Sequence, residues 1–112
     1  DLSSKAMVEK AVEELKKSGV ECILCQDDYI CDEAVRKLSH MGVRIPDQMK
    51  VASCHYSRIL ENYPVTVTSL KFNITELGRR SCQVLLDMIH GKTVPDKTLL
   101  DYEIILKEST KG

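Results

Sequence analysis

Between residues 2 and 18 the apolar side chains Leu2, Ala6, Val8, Ala11, Val12 and Leu15 return at roughly helical spacing, while Lys5, Glu9, Glu13, Lys16 and Lys17 fall elsewhere. This pattern predicts an amphipathic helix, capped at its start by Ser3 or Ser4 and ended by Gly19. Residues 20–25 are too few for another helix and follow a turn signal, so they predict a buried strand. Asp27 and Asp28 close that strand and open a second helix. Its Ile30, Ala34, Val35, Leu38 and Met41 share one side; Gly42 stops it and Pro46 prevents a restart. Residues 49–54 predict a second strand. Residues 55–64 are irregular and polar, with room for one short helix, and the β-branched run 65–70 predicts a third strand.

The sharpest local signal is the next helix start. Asn73 and Glu76 have capping-box spacing, and Phe72 and Leu77 are placed to form a hydrophobic staple around them. Leu77, Val84, Leu85, Met88 and Ile89 supply the apolar face of a helix over 73–90, which Gly91 stops. In the last element Leu100, Tyr102, Ile104 and Leu106 alternate with Asp101, Glu103 and Lys107, as in a strand near a sheet edge. Helices alternating with short apolar strands predict an α/β fold, a parallel sheet wound in βαβ units within a three-layer αβα architecture.

At 112 residues the chain holds one core. Its 43% hydrophobic and 29% charged residues exclude a disordered tail, and no apolar run is long enough to cross a bilayer. The formal net charge of -1 gives no electrostatic pull toward a phosphate backbone, so DNA contact is expected to lie outside this chain. The start lacks a basic segment followed by an apolar one, and five cysteines without a secreted-domain spacing read as reduced thiols. A cytoplasmic protein without disulfides is expected.

Cys22 and Cys25 have Cys-x-x-Cys spacing, but residues three apart on a strand point to opposite faces and no matching second pair follows. Buried small hydrophobes are the simpler reading, and no metal or cofactor is expected. Cys54 and His55 are neighbours that diverge on a strand and have no orienting acid in the motif, so no catalytic group is assigned. Arg79 and Arg80 beside Glu76 and Asp87 read as a solvated helix face.

Five stretches in register resemble the lactose/galactose-repressor family and the periplasmic sugar-binding proteins that share its fold. Residues 22–28, Cys-Ile-Leu-Cys-Gln-Asp-Asp, resemble the family's strand ending in Asn-Asp, and residues 41–47, Met-Gly-Val-Arg-Ile-Pro-Asp, its Gly-Leu-x-[Val/Ile]-Pro-[Glu/Asp] turn. Val-Ala-Ser-Cys-His-Tyr at 51–56 stands where the family has Val-Val-Gly-[Phe/Tyr]-Asp-[Asn/Asp]. Glu-Leu-Gly-Arg-Arg at 76–80 and Leu-Lys-Glu-Ser-Thr at 106–110 resemble its late helix and its closing Arg-Glu-Ser-Thr.

The resemblance implies the C-terminal part of the effector-binding domain of a transcriptional regulator, a periplasmic-binding-protein-like fold of type I. Residues 1–65 would form the C-terminal lobe, and 66–112 the crossover strand, helix and final strand. A small sugar-like or purine-like effector would sit at the carboxyl ends of the parallel strands. Asp27 replaces an Asn that bonds effector hydroxyls in relatives, and Asp28 would cap the following helix. His55 replaces the Asp that grips the ligand; an imidazole can donate and accept, stack on a flat ligand, or pair with a negative group when protonated. Ser53 stands for a glycine and Cys54 for an aromatic residue. Phe72 falls where Gln is common, near the crossover, as a stacking wall or as the staple described above.

By the same resemblance Ile30, Asp32, Arg36, Ser57, Leu60 and Tyr63 would lie at a homodimer interface. DNA would be read by a helix-turn-helix segment that this sequence does not contain. A solute-binding lobe of a transporter is the alternative, disfavoured by the five thiols. A phosphoacceptor receiver domain fails because Cys54 and His55 occupy the end of the second strand, where an acceptor Asp is needed. In relatives the chain after the third strand crosses to another lobe. The apolar face of helix 73–90 therefore needs a partner, either repacking against the first lobe or association between chains.

Overall fold

In a computed structural model, which describes residues 2–112, each apolar run becomes a strand shorter than the run itself. Helix α1 spans Leu2–Lys17, ahead of the cap expected at Ser3 or Ser4, and the side chains of Leu2 and Ser3 lie outside the described residues. Strand β1 is Cys22–Cys25, helix α2 Asp28–His40 and strand β2 Lys50–Ser53. A short 3-10 turn occupies Arg58–Glu61 inside the polar stretch. Strand β3 is Thr68–Phe72, displaced toward the C-terminus from the β-branched run, and it leads directly into helix α3, Ile74–Ile89. Strand β4, Tyr102–Ile105, and a 3-10 turn at Glu108–Thr110 end the chain.

The sheet order is β1-β2-β3-β4. The first three strands are parallel, with Cys25 opposite Ser53 and Ser53 opposite Ser69. β4 departs from the all-parallel expectation: it runs antiparallel beside β3, pairing Phe72 with Tyr102 and Lys71 with Glu103. The reason is topological, since α3 carries the chain away from the sheet and the segment after it returns in the opposite sense.

Alternation along β1 buries Ile23 and Cys25 and exposes Leu24, which fixes the face that meets α2. Cys31, Ala34, Val35 and Leu38 from α2 close over that face with Met49 and Val51, and Val12 of α1, Leu60 and Val67 complete the core. α1 contributes less than its periodicity suggests, because Ala6 and Ala11 are exposed and Leu15 is 37% exposed. Gly42 ends α2 with φ 70° and Gly91 follows α3 with φ 74°, a left-handed conformation that residues with a Cβ rarely adopt.

The closing residues tie back into the first strands. Ser109 is fully buried; its hydroxyl donates to the Val51 carbonyl at 2.5 Å and accepts from the Thr68 amide at 2.8 Å, bridging β2 and β3. The hydroxyls of Thr68 and Thr110 lie 2.6 Å apart beside it.

Helix α3 behaves differently. No residue on it is buried, and Leu77, Leu85, Met88 and Ile89 are all at least half exposed. The expected repacking against the first lobe does not occur. The returning segment at Pro95, Asp96, Thr98 and Leu100 lines a shallow groove of about 370 Å³ with Leu77, Val84, Leu85 and Met88 of the helix. The principal-axis extents of 57 × 31 × 24 Å reflect this projecting arm.

Candidate functional site

At the end of β1 the helix cap expected of Asp28 is made by its neighbour. Asp27, in extended backbone, is the N-cap of α2: its Oδ1 accepts from the Ile30 amide at 2.8 Å. Asp28 instead turns inward and is buried. Its Oδ1 accepts from the Tyr29 amide at 3.1 Å and lies 3.6 Å from Nδ1 of His55. Burial, the largest influence, pushes the Asp28 carboxyl up. The Ser57 hydroxyl, the backbone amides and the nearby imidazole outweigh it, and the net effect is a carboxyl below the usual aspartate range. The buried Asp28 thus places one carboxylate oxygen between the Tyr29 amide and His55.

The loop that carries His55 is built by Ser53. The Ser53 hydroxyl donates to the His55 carbonyl at 2.8 Å and accepts from the His55 amide at 3.1 Å, folding the chain immediately after β2. Ser57 caps the following turn by accepting from the Ile59 amide at 3.3 Å, and Tyr56 donates its hydroxyl to Glu61.

A cavity of about 740 Å³ opens at the carboxyl ends of β2 and β3. It is lined by His55, Tyr56, Ser57 and Arg58 after β2, by Lys71, Phe72 and the first turn of α3, and by Asp101, Tyr102 and Glu103 of the returning segment. Of the three expected ligand contacts, His55 and Phe72 meet in this cavity, while Asp27 is not among its lining residues. Phe72 also does not serve as a staple. Its ring packs on Tyr102, with centroids 6.5 Å apart and planes inclined at 54°, and Leu77 stays exposed. The Asn73 half of the capping box forms, its side chain accepting from the Glu76 amide at 3.0 Å, but Glu76 turns to Arg79 and Arg80 instead of back to Asn73.

Sequence reasoning missed Tyr56, Arg58, Lys71, Asp101, Tyr102 and Glu103. The last three could be found only by knowing that the final strand returns antiparallel beside β3, which places Tyr102 opposite Phe72.

Of the expected interface residues, Asp32, Arg36 and Tyr63 meet one another. Asp32 and Arg36 pair at 3.1 Å on the outer side of α2, and the Tyr63 hydroxyl donates to the same Asp32 carboxylate. Ile30 is partly exposed beside them and Ser57 is engaged by Asp28 and Ile59. Leu60 is a correction: at 2% exposure it belongs to the core, where it seats the 3-10 turn, and it has no surface to offer a partner.

Residues 2–110 match the family described as Periplasmic binding protein-like domain. The chain belongs to that family. A curated relative, the HTH-type transcriptional repressor MelR of Bacillus subtilis, is 25% identical over 89 residues, which is 80% of this chain and 26% of the repressor. A LacI family transcriptional regulator from Bifidobacterium animalis subsp. lactis superposes with a TM-score of 0.84 at 26% identity, covering 95% of this chain and 40% of that one. The transcription regulator CcpA of Lactococcus lactis shares the fold, with a TM-score of 0.87 at 22% identity over 96% of this chain and 40% of CcpA. The periplasmic-binding-protein-like domain described here therefore spans about a quarter of the curated relative and two fifths of the solved ones. It covers part of the effector-binding domain of LacI-family regulators. These relatives regulate transcription and are not enzymes.

Proposed function

We propose that this domain is the effector-sensing and dimerising module of a LacI-type transcriptional regulator, binding a sugar or related metabolite in the cavity between His55 and Phe72 and so modulating operator binding. DNA contact belongs to a helix-turn-helix segment outside this chain. The observation that carries the reading is the convergence of His55 and Phe72 on a cavity at the carboxyl ends of parallel strands, where α/β folds take their ligands. Five free thiols suit the reducing cytoplasm such a regulator occupies. Among proteins of the same fold, a LacI family regulator from Arthrobacter sp. FB24 was crystallised in complex with lactose, and the lac repressor as a dimer bound to operator. For the present domain, Asp27 contributes by holding the first turn of α2, and Asp32, Arg36 and Tyr63 form a rigid polar ridge suited to a subunit contact.

Calorimetry of the full-length protein against sugars, sugar phosphates and nucleobases tests the site. Phe72→Ala and His55→Ala should each weaken the effector that gives heat by about tenfold or more, the order expected when a stacking or hydrogen-bonding contact is lost. Unchanged affinity in both variants would place the effector elsewhere. Sedimentation that found only monomer at high concentration would remove the dimerising role.

A further inference from the structure

The cavity is lined by both cations and carboxylates, and an ion pair that the strand register invites does not form. Lys71 and Glu103 are directly opposite in the β3–β4 register, where unlike charges ordinarily pair. The Lys71 ammonium turns away and sits over the Tyr56 ring, 5.6 Å from its centroid, in the segment that carries His55 and Arg58. Among the described residues neither Lys71 nor Arg58 has a carboxylate within ion-pair distance; the salt bridges present involve other cations. Nδ1 of His55 faces Asp28, which leaves Nε2 for the cavity. Glu61, the acid nearest to Arg58 in sequence, accepts the Tyr56 hydroxyl.

We infer that the His55–Arg58–Lys71 end of this cavity is an anion subsite, and that the effector is a carbohydrate bearing a phosphate or carboxylate group. The inference rests on the reading of the cavity as the effector site. A neutral sugar would leave two cations facing the ligand without a counter-charge, whereas an anionic oxygen would gain charge-assisted hydrogen bonds about twice as strong as neutral ones. Asp101 and Glu103, which line the same cavity, accept from hydroxyl groups. Phe72 and Tyr102, 43% and 60% exposed, offer apolar ring surface to the C–H face of a pyranose. Three of the chain's five aromatic residues line this one cavity, which marks it as a ring-binding site in a chain otherwise poor in rings.

The test uses the full-length protein and matched probe pairs, glucose 6-phosphate and gluconate against glucose, with galactose and fructose and their phosphates beside them, followed by calorimetry. Inorganic phosphate at millimolar concentration is the minimal probe, followed by the thermal midpoint, which rises when a ligand binds the native state. Inorganic phosphate should raise the midpoint of the wild type and of a distant control, Arg44→Gln, and should fail to do so in Arg58→Gln and Lys71→Gln. The charged member of at least one pair should bind about tenfold tighter than its neutral parent, and that preference should vanish in the same two variants. A neutral parent that binds as tightly as its charged partner, with Phe72→Ala weakening both, overturns the anion subsite while the effector site stands. Binding that ignores Phe72→Ala, Arg58→Gln and Lys71→Gln alike overturns the site itself. A midpoint shift that persists in both cation variants assigns phosphate to another surface and overturns the proposal.

Discussion

Oδ1 of Asp28 lies 3.6 Å from Nδ1 of His55 and accepts from the Tyr29 amide at 3.1 Å. Asp28 has a depressed pKa in the folded protein, so the stability it contributes is fully present above the unfolded aspartate value of roughly 4 and is lost as pH falls through the lower folded value. Asp28→Asn keeps the size but removes the charge, and should cost about 1–3 kcal/mol at neutral pH, the range for a buried hydrogen-bonded charge. The gap between wild type and variant, measured by urea denaturation, should narrow as pH is lowered below 4. A gap that stays constant down to pH 2 would show that the carboxylate charge is not what holds the loop.

Much of this arrangement was legible from residue order, and the parts that were not have physical reasons. The periodicities at Ile30–Leu38 and Leu77–Ile89 mark true helices, and Gly42 and Gly91 mark their ends, because helical spacing and left-handed glycine are local properties. The helix cap fell to Asp27 and not to Asp28, because two adjacent carboxylates offer the same chemistry. Which one caps depends on backbone direction at the strand end, a property of the assembled sheet. Leu60 looked like a surface residue in a polar stretch, and only the packing of the 3-10 turn against α2 shows it inside. Tyr102 and Glu103 joined the site through the antiparallel return of β4, a pairing across some thirty residues that no local pattern encodes.

Ser109 offers a second measurement. Its hydroxyl joins the Val51 carbonyl to the Thr68 amide inside the sheet, so Ser109→Ala leaves a buried acceptor and a buried donor without partners. The expected cost is about 1–3 kcal/mol, read as a lower urea midpoint at unchanged m-value. Lys111→Ala, which removes only an exposed pair with Glu108, should stay within about 0.5 kcal/mol of the wild type. Equal effects would mean that the closing residues act as a loose tail and do not lock the strands.

The thiols separate by burial. Cys22 and Cys82 are exposed, Cys54 is half-buried, and Cys25 and Cys31 are 3% and 0% exposed. The hydrogen bond with Cys25, and then burial, raise the Cys31 thiol well above the usual range, and its full burial keeps reagents away in the folded state. Alkylation followed by mass spectrometry should therefore label Cys22 and Cys82 first, Cys54 next, and Cys31 only when the core opens. Prompt labelling of Cys31 in the native protein would place it outside the core between β1 and α2.

The exposed face of α3 makes the last prediction. Leu85 and Met88 are each 57% exposed and Ile89 67%, side by side along one helix whose interior neighbours are confined to the segment 95–100. Contiguous apolar surface of this kind is uncommon on a stable monomer. The 112-residue chain by itself should therefore scatter light as a species heavier than its 12.7 kDa mass, increasingly so with concentration. Leu85→Glu combined with Met88→Glu should return it toward the monomer mass without lowering the urea midpoint, since neither side chain reaches the core cluster. The contrast is Leu38→Ala, which empties a fully buried position and should cost about 2–5 kcal/mol while leaving association unchanged. A wild-type chain that stays monomeric at high concentration would show that the segment around Leu100 closes over α3 in solution, and the groove along Leu77 and Val84 would then be shut.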